Sequence, residues 1–502
     1  MLQPPAKEYS GPRGVGIRMT EPLTPGMGGA YSETGADLLE AYHLFDKAHL
    51  VMLGEEELIP REAAARMLAA LREMERDGAV DVRRQVGGGM HSGEQYLVRR
   101  LGYDIGGRIH LGRSTGDFGA VSRRVRERTR LLELAGAVNT LRAALLDTAE
   151  AHLDTVMPGH TGSQHAQPTT FGHQLLAWVA ALDRQFEGIA QAFARVNRSP
   201  AGAAILTGSS FAVNRQRTAD LMGFEGVLRN TLDAIQGHDD ELDALSVAVS
   251  VNVCLARWAN DINFWSTSES GYLRVPDRFC GTSSIMAQKR NPAMLPAMRT
   301  AAAEALGAFA TTAAALNAPS GDFGGDGGAG LHRTFDAAVR GAAWLAELVP
   351  ALEVDRERML DAAGAHWAQA TDVAAALVES QGWPWRVAHQ VTAILVRLSE
   401  ERRVPPREVT PALLDEAAVL YLGEPVGLSE DALRDALDPA RFVERRTLYG
   451  GPSPEAARDE LAEERDHLGR DVAWLDAATE RLREAEARLE SAIDALVAEI
   501  GA

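Results

Sequence analysis

The stretch "GTSSIMAQKRNP", residues 281–292, places two adjacent hydroxyls, Ser283 and Ser284, close to two cations. The carboxamides of Gln288 and Asn291 flank those cations, Lys289 and Arg290. Neither the helical nor the strand period fits it, so it reads as a loop. A serine hydroxyl is far too weak an acid to serve as a base unless backbone donors and a nearby cation stabilise its alkoxide. Lys289 and the loop amides are candidates for that task, and Lys289 and Asn291 also suit gripping a carboxylate. The plainer reading is a Ser/Gly turn capping a helix.

Two further polar loops could carry chemistry. "MPGHTGSQHAQP" (157–168) holds Thr161 between His160 and His165. "APSGDFGGDGGAGLH" (318–332) is glycine-rich enough to suggest a phosphate cradle, but Asp322 and Asp326 oppose an anion, so a mobile lid is the better reading. Cys254 and Cys280 are the only cysteines, which argues against a disulfide scaffold or a structural zinc site.

The elements that must hold these loops are helical. Residues 1 to about 35 are rich in Pro and Gly and read as an extended arm. Residues 36–80 read as two helices, the second with Pro at its start and Gly past its end. From Ala120 to about Leu352, long Ala/Leu/Val segments suggest a helical bundle with the polar loops at its ends. A smaller C-terminal region ends in a long charged helix opened by a Ser-Pro-x-Glu cap, expected to fold back on its own domain. The expected fold class is all-α. The expected domains are an N-terminal helical domain with its arm (1–118), a central helical bundle (119–366) and a small C-terminal helical domain (367–502).

Composition sets bounds on partners. The chain has 502 residues, 46% of them hydrophobic, which is enough for a large core. A formal charge of −19 argues against nucleic-acid binding. The N-terminus has no apolar core of signal-peptide length, and no apolar run of about 18 residues occurs. A soluble, cytoplasmic protein with no membrane partner is expected.

Four segments in order, "GRIHLGRSTGDFG", "MPGHTGSQHAQPTTFGH", "SPAGAAILTGSSFAVNRQRTADLMGF" and "GTSSIMAQKRNP", resemble the argininosuccinate lyase branch of the fumarase/aspartase superfamily. The resemblance continues through "LSEERRVPP" to "GGPSPEAARDEL" and so covers nearly the whole chain. It implies a three-domain fumarase/aspartase-type fold with a long central helical bundle. It also implies a homotetramer in which each active site is assembled from three chains, with no cofactor and no metal. The implied reaction is anti β-elimination from a small succinyl or aspartyl substrate, releasing fumarate.

Removing a proton beside a carboxylate leaves a doubly charged aci-carboxylate, so such an enzyme needs a strong base and cations aimed at the developing charge. A loop closing over the substrate strengthens both by excluding water. By the resemblance Ser283 is the base, with Lys289 and Thr161 also catalytic. Ser284, Gln288 and Asn291 bind substrate in the same loop. Ser114 and Thr161 stand where the family contacts the fumarate half, Thr115 beside Ser114 is a further substrate-binding candidate, and His91 matches a histidine of the first domain. Ser114, Thr161 and His91 each have an ordinary structural reading as cap, turn or satisfied core histidine.

The departures cluster at the chemistry. Gly162 stands where the family has a histidine, and Pro296 where its carboxylate partner is expected. Thr115 and Gly116 replace an arginine and an asparagine. Phe323 to Gly330 replace the loop that holds the arginine end, Asp46 replaces a serine, and Ala287 a proline. The proton-abstracting half survives while the leaving-group half is rebuilt. This points to a lyase releasing fumarate and an amine other than arginine, suited to specialised biosynthesis. The rival readings are argininosuccinate lyase itself and a catalytically silent structural homologue. For the missing acid, His160 is a candidate if extended backbone turns it into the volume vacated at Gly162. His165, expected to begin the next helix, is the other.

Overall fold

The computed structural model describes residues 35–317 and 328–499. Residues 1–34 of the expected arm and 318–327 of the glycine-rich stretch, with Asp322 and Asp326, lie outside the described residues.

Helices α1 (Ala36–Glu55), α2 (Arg61–Arg76) and α3 (Ser92–Leu101) build an N-terminal cluster around Phe45, Leu50, Met67 and Leu97. Five helices then make the bundle. They are α4 (Thr115–Glu150), α5 (Phe171–Val196), α6 (Asp239–Trp265), α7 (Met294–Leu316) and α8 (Gly328–Leu348). Their core is Leu-, Ala- and Val-rich and closes on a ladder of aromatics, with Trp178 stacked on Trp258 at 5.2 Å and on Trp265 at 5.9 Å. Small alanines let the backbones approach closely, as the composition required.

Contacts at both ends fix the directions. The start of α5 meets the end of α4, Phe171 lying edge to face with His152 at 5.2 Å, while Arg124 of α4 donates to the Arg195 carbonyl near the end of α5. Helix α6 runs parallel to α4: Asp240 pairs with Arg123 and Arg124 at one end, and Trp265 reaches Phe171 at the other. Among the described residues α6 is the one helix long and apolar enough to cross a membrane, and it is a core member of the bundle. At about 1.5 Å per residue, the 36 residues of α4 put roughly 54 Å between Ser114 and the opposite end.

Two differences from expectation are local. The 157–168 loop is a β-hairpin, β1 (Val156–Thr161) paired antiparallel with β2 (Gln164–Thr170), inside an otherwise helical fold. The final helix, α9 (Pro454–Ala498), does not fold back on the C-terminal region, whose own core runs from Val373 to Leu437. Its apolar stripe is long enough to bury against two other cores, Ala457, Leu461 and Ala478 on the bundle and Leu489, Ile493 and Leu496 on the N-terminal helices. Glu490 bonds Lys47 and Glu499 bonds Arg61 at that far end.

Candidate active site

The 281–292 stretch is a short hairpin. Strands β3 (Gly281–Thr282) and β4 (Arg290–Asn291) pair antiparallel, and residues 283–289 form the tip. The base of the loop is anchored by Arg290, which pairs with Asp277 and donates to the Val275 carbonyl. At the tip Ser283 Oγ accepts the Met286 N–H at 3.0 Å, and the Lys289 N–H donates to the Met286 carbonyl at 3.0 Å. Thus one backbone donor already points at the hydroxyl expected to lose its proton. Ser284, Gln288 and Lys289 are exposed, and Ser283 and Asn291 half-buried. Lys289 has no ion pair among the described residues, so its charge is free for an anion. Ile285, at 87% exposure, is an apolar side chain presented to whatever the loop closes on.

Thr161 ends β1, exposed and paired across the hairpin with Gln164. Gly162 (φ 56°) and Ser163 (φ 61°) form a two-residue turn with both φ positive, the geometry tight hairpins favour. The side-chain alternation therefore stops at Thr161, and His160 is not aligned with position 162. Apart from its two chain neighbours, nothing described lies within 4 Å of a Cβ built on Gly162, so His160 does not fill the space there. His165 lies in β2, not at the start of a helix; α5 begins at Phe171.

His160 and His165 turn to one side, into a cluster the sequence did not reveal. His160 meets His165 at 5.0 Å and Phe264 at 5.4 Å, and His165 meets His366 at 4.7 Å. The Tyr272 hydroxyl comes to 3.5 Å of His165 Nε2. Burial lowers the His160 pKa, and burial with the neighbouring His160 and His366 lowers that of His165. His366 and Trp367 have φ of 53° and 60°, a strain at non-glycine residues that sequence patterns do not signal.

Ser114 caps α4. Its Oγ accepts the Gly116 N–H at 3.1 Å, and Asp117 Oδ2 accepts the Ser114 N–H at 2.8 Å, a capping box with Asp in the third position. Thr115 is exposed beside it. Asp117 Oδ1 also accepts the Ala204 N–H at 3.2 Å, tying in a strained turn where Ala204 (φ 46°) and the β-branched Ile205 (φ 80°) are left-handed. Burial pushes the Asp117 carboxyl pKa up against those two amides. Ser114 and Thr161 lie at opposite ends of α4, so one chain does not bring them together.

Two residues sit in the N-terminal cluster. His91 is buried, with its ring 5.5 Å from His110 and 6.0 Å from Phe118. Asp46 is fully buried between Arg83 at 2.5 Å and Arg113 at 2.8 Å. The residue that replaces the family serine is thus held in a buried structural ion pair. Pro296 lies in the first turn of α7 and offers no carboxylate.

Comparison with known proteins agrees with this architecture. Residues 42–307 match the Lyase family model, and residues 367–444 match the Argininosuccinate lyase C-terminal model. The argininosuccinate lyase of Methanosarcina acetivorans is 32% identical over 471 residues, 93% of each chain. EDDS lyase in complex with formate superposes with a TM-score of 0.88 at 30% identity, over 93% of this chain and 94% of that one. A double-substituted EDDS lyase with bound fumarate gives 0.87, also at 30%, over 95% and 97%. Fold and loop set thus define a helical-bundle lyase of the fumarase/aspartase type. Within that class, the chain belongs to the argininosuccinate lyase family. It is a fumarate-releasing carbon–nitrogen lyase.

Proposed function

We propose that the substrate is an N-substituted aspartate whose amine is not arginine. The carrying observation is the vacancy at position 162. The loop of Ser283, Lys289 and Asn291 is complete, yet the residue expected to bear the leaving-group histidine is a left-handed glycine with open space beyond it. A family member at 30% identity bears the name EDDS lyase, which supports work on adducts other than argininosuccinate.

In this reading Ser283 removes the proton beside the carboxylate. The Met286 N–H, already on its oxygen, and Lys289 stabilise the alkoxide, while Lys289, Asn291, Ser284 and Gln288 hold the carboxylate as charge develops. Thr161, Ser114 and Thr115 come from other subunits and bind the succinyl half. Helix α7 supports such a tetramer. Arg299 and Glu304 are its only charged residues, few of its side chains are buried, and Leu306 is 53% exposed. A helix that is apolar all round needs cover from neighbours.

Burial lowers the pKa of both His160 and His165, which disfavours the imidazolium and weakens the case for His160 as the acid. This supports departure of an amine that needs no proton from this pair.

The test is fumarate release from a panel of aspartate adducts with argininosuccinate included. Efficient turnover of another adduct and poor turnover of argininosuccinate is expected. Losing a polar contact costs roughly 1–3 kcal/mol per buried group left unpaired. Ordinary efficiency on argininosuccinate would instead assign the chain to arginine biosynthesis. No fumarate from any adduct in the panel would overturn this reading of the substrate.

A further inference from the structure

We propose that His91, Glu94 and His110 bind a divalent transition-metal ion of the zinc class. The sequence offered no metal motif here, because Glu94 and His110 are separated by a helix and a turn. The fold brings them together. His91 stands at the threshold of α3, Glu94 lies in its first turn, and His110 ends the short 3-10 turn Gly107–His110.

The geometry suits a small tetrahedral ion. Glu94 Oε2 lies 3.1 Å from His110 Nδ1 and 3.5 Å from His91 Nδ1, and one ligand atom from each residue falls within 4.8 Å of the others. Two atoms each about 2.0–2.1 Å from a tetrahedral zinc lie about 3.3 Å apart. Both measured separations bracket that edge. Two imidazoles and one carboxylate are also the donor set this class of ion prefers.

Hydrogen bonding points the same way. His91 is 6% exposed; its Nδ1 has only the long 3.5 Å contact with Glu94 Oε2, and its Nε2 has no hydrogen-bond partner. A buried imidazole left so is rare unless something else takes its lone pair. Glu94 is equally short of a cation, for its two ion pairs are with these histidines and it has none with Lys or Arg among the described residues. Arg113, which lies over the Phe118 ring that His91 also meets, is spent on Asp46.

A second cluster, Asp183, Glu464 and His467, has similar spacing but lacks the vacancy. There Arg142, wholly buried, comes within 2.7 Å of Asp183 and 3.6 Å of Glu464 and already supplies the positive charge.

Glu94 and His110 remain half-buried, so one coordination position faces out and can take water. The consequence for the enzyme is positional. His110 precedes Ser114 by four residues, and the intervening Leu111 carbonyl accepts the His49 Nε2 proton at 2.9 Å. An ion tying His110 to α3 therefore pins the approach to the α4 cap.

The experiment titrates the full chain, stripped with EDTA and dialysed, with Zn²⁺ in a calorimeter. Co²⁺ gives an independent reading through its visible absorption in a four- or five-coordinate site. One equivalent per chain is expected, weakened at least about tenfold in Glu94→Gln and His110→Gln but unchanged in His467→Ala. Zn²⁺ should raise the melting temperature of the parent and not of the first two variants, each checked for retained helicity and size. Absence of stoichiometric binding in the parent, or equal binding in Glu94→Gln and His110→Gln, overturns the proposal. So does loss of binding in His467→Ala alone.

Discussion

His160 and His165 stand opposite one another across the β1–β2 hairpin, rings edge to face with centroids 5.0 Å apart. Nε2 of the first and Nδ1 of the second are buried without a hydrogen bond meeting ordinary geometry. Such a pair resists protonation, because each new charge would be desolvated and would repel its neighbour.

That resistance gives stability a pH dependence with a definite sign. Both folded-state pKa values lie below 6.5, so the unfolded chain binds more protons as acid is added. The stability carried by the neutral rings is present above about pH 6.5 and is lost as pH falls through the lowered folded values. His165→Asn should therefore lose less melting temperature than the parent between pH 7 and pH 5. Parallel curves for the two proteins would reject the assignment.

Ser283→Ala should lower kcat at least about 10³-fold while leaving helicity and assembly intact, since general-base catalysis contributes about 10²–10⁴. Among the described residues the side chain's one hydrogen bond is the local contact with Met286, so its removal disturbs little else. Near-normal turnover would move the base elsewhere.

Mixing inactive Ser283→Ala with inactive Thr161→Val should restore part of the activity once subunits exchange. The roughly 54 Å of α4 between the Ser114 cap and the hairpin is the motive for expecting shared sites. Verified exchange with no recovery would falsify the shared-site arrangement.

Trp178→Ala should destabilise the chain by roughly 3–5 kcal/mol, as large-to-small aromatic changes in a core do. Trp178 is buried and stacks on both Trp258 and Trp265, so the cavity cannot collapse around one partner. The midpoint of urea unfolding should fall clearly; a change within 1 kcal/mol would contradict this packing role.

Much of the fold was legible because long alanine-rich segments leave few alternatives to a bundle, and the 281–292 composition marks its loop plainly. The hairpin escaped notice although Gly162-Ser163 is a turn dipeptide between extended residues. Surrounding helices and two histidines drew the reading toward a loop. The path of α9 could not be read at all, since an amphipathic stripe says that a face is buried and not against which core. The role of Asp46 was out of reach for a related reason: alignment supplies a position, whereas its pairing depends on Arg83 and Arg113, which are distant in sequence. The clusters around His165 and His91 are products of the same long-range assembly.

The left-handed turn at Gly162 makes the proposed loss of a leaving-group histidine there open to reversal. No neighbour has moved in to occupy the position, and a left-handed non-glycine residue costs only about 1–2 kcal/mol. Ser163 already carries such a conformation next door. Apart from its two chain neighbours, a Cβ at position 162 meets nothing described within 4 Å in its own chain, so Gly162→His begins without a clash in the hairpin. A single codon therefore separates this chain from a host in which leaving-group acidity can be reintroduced and its worth measured directly.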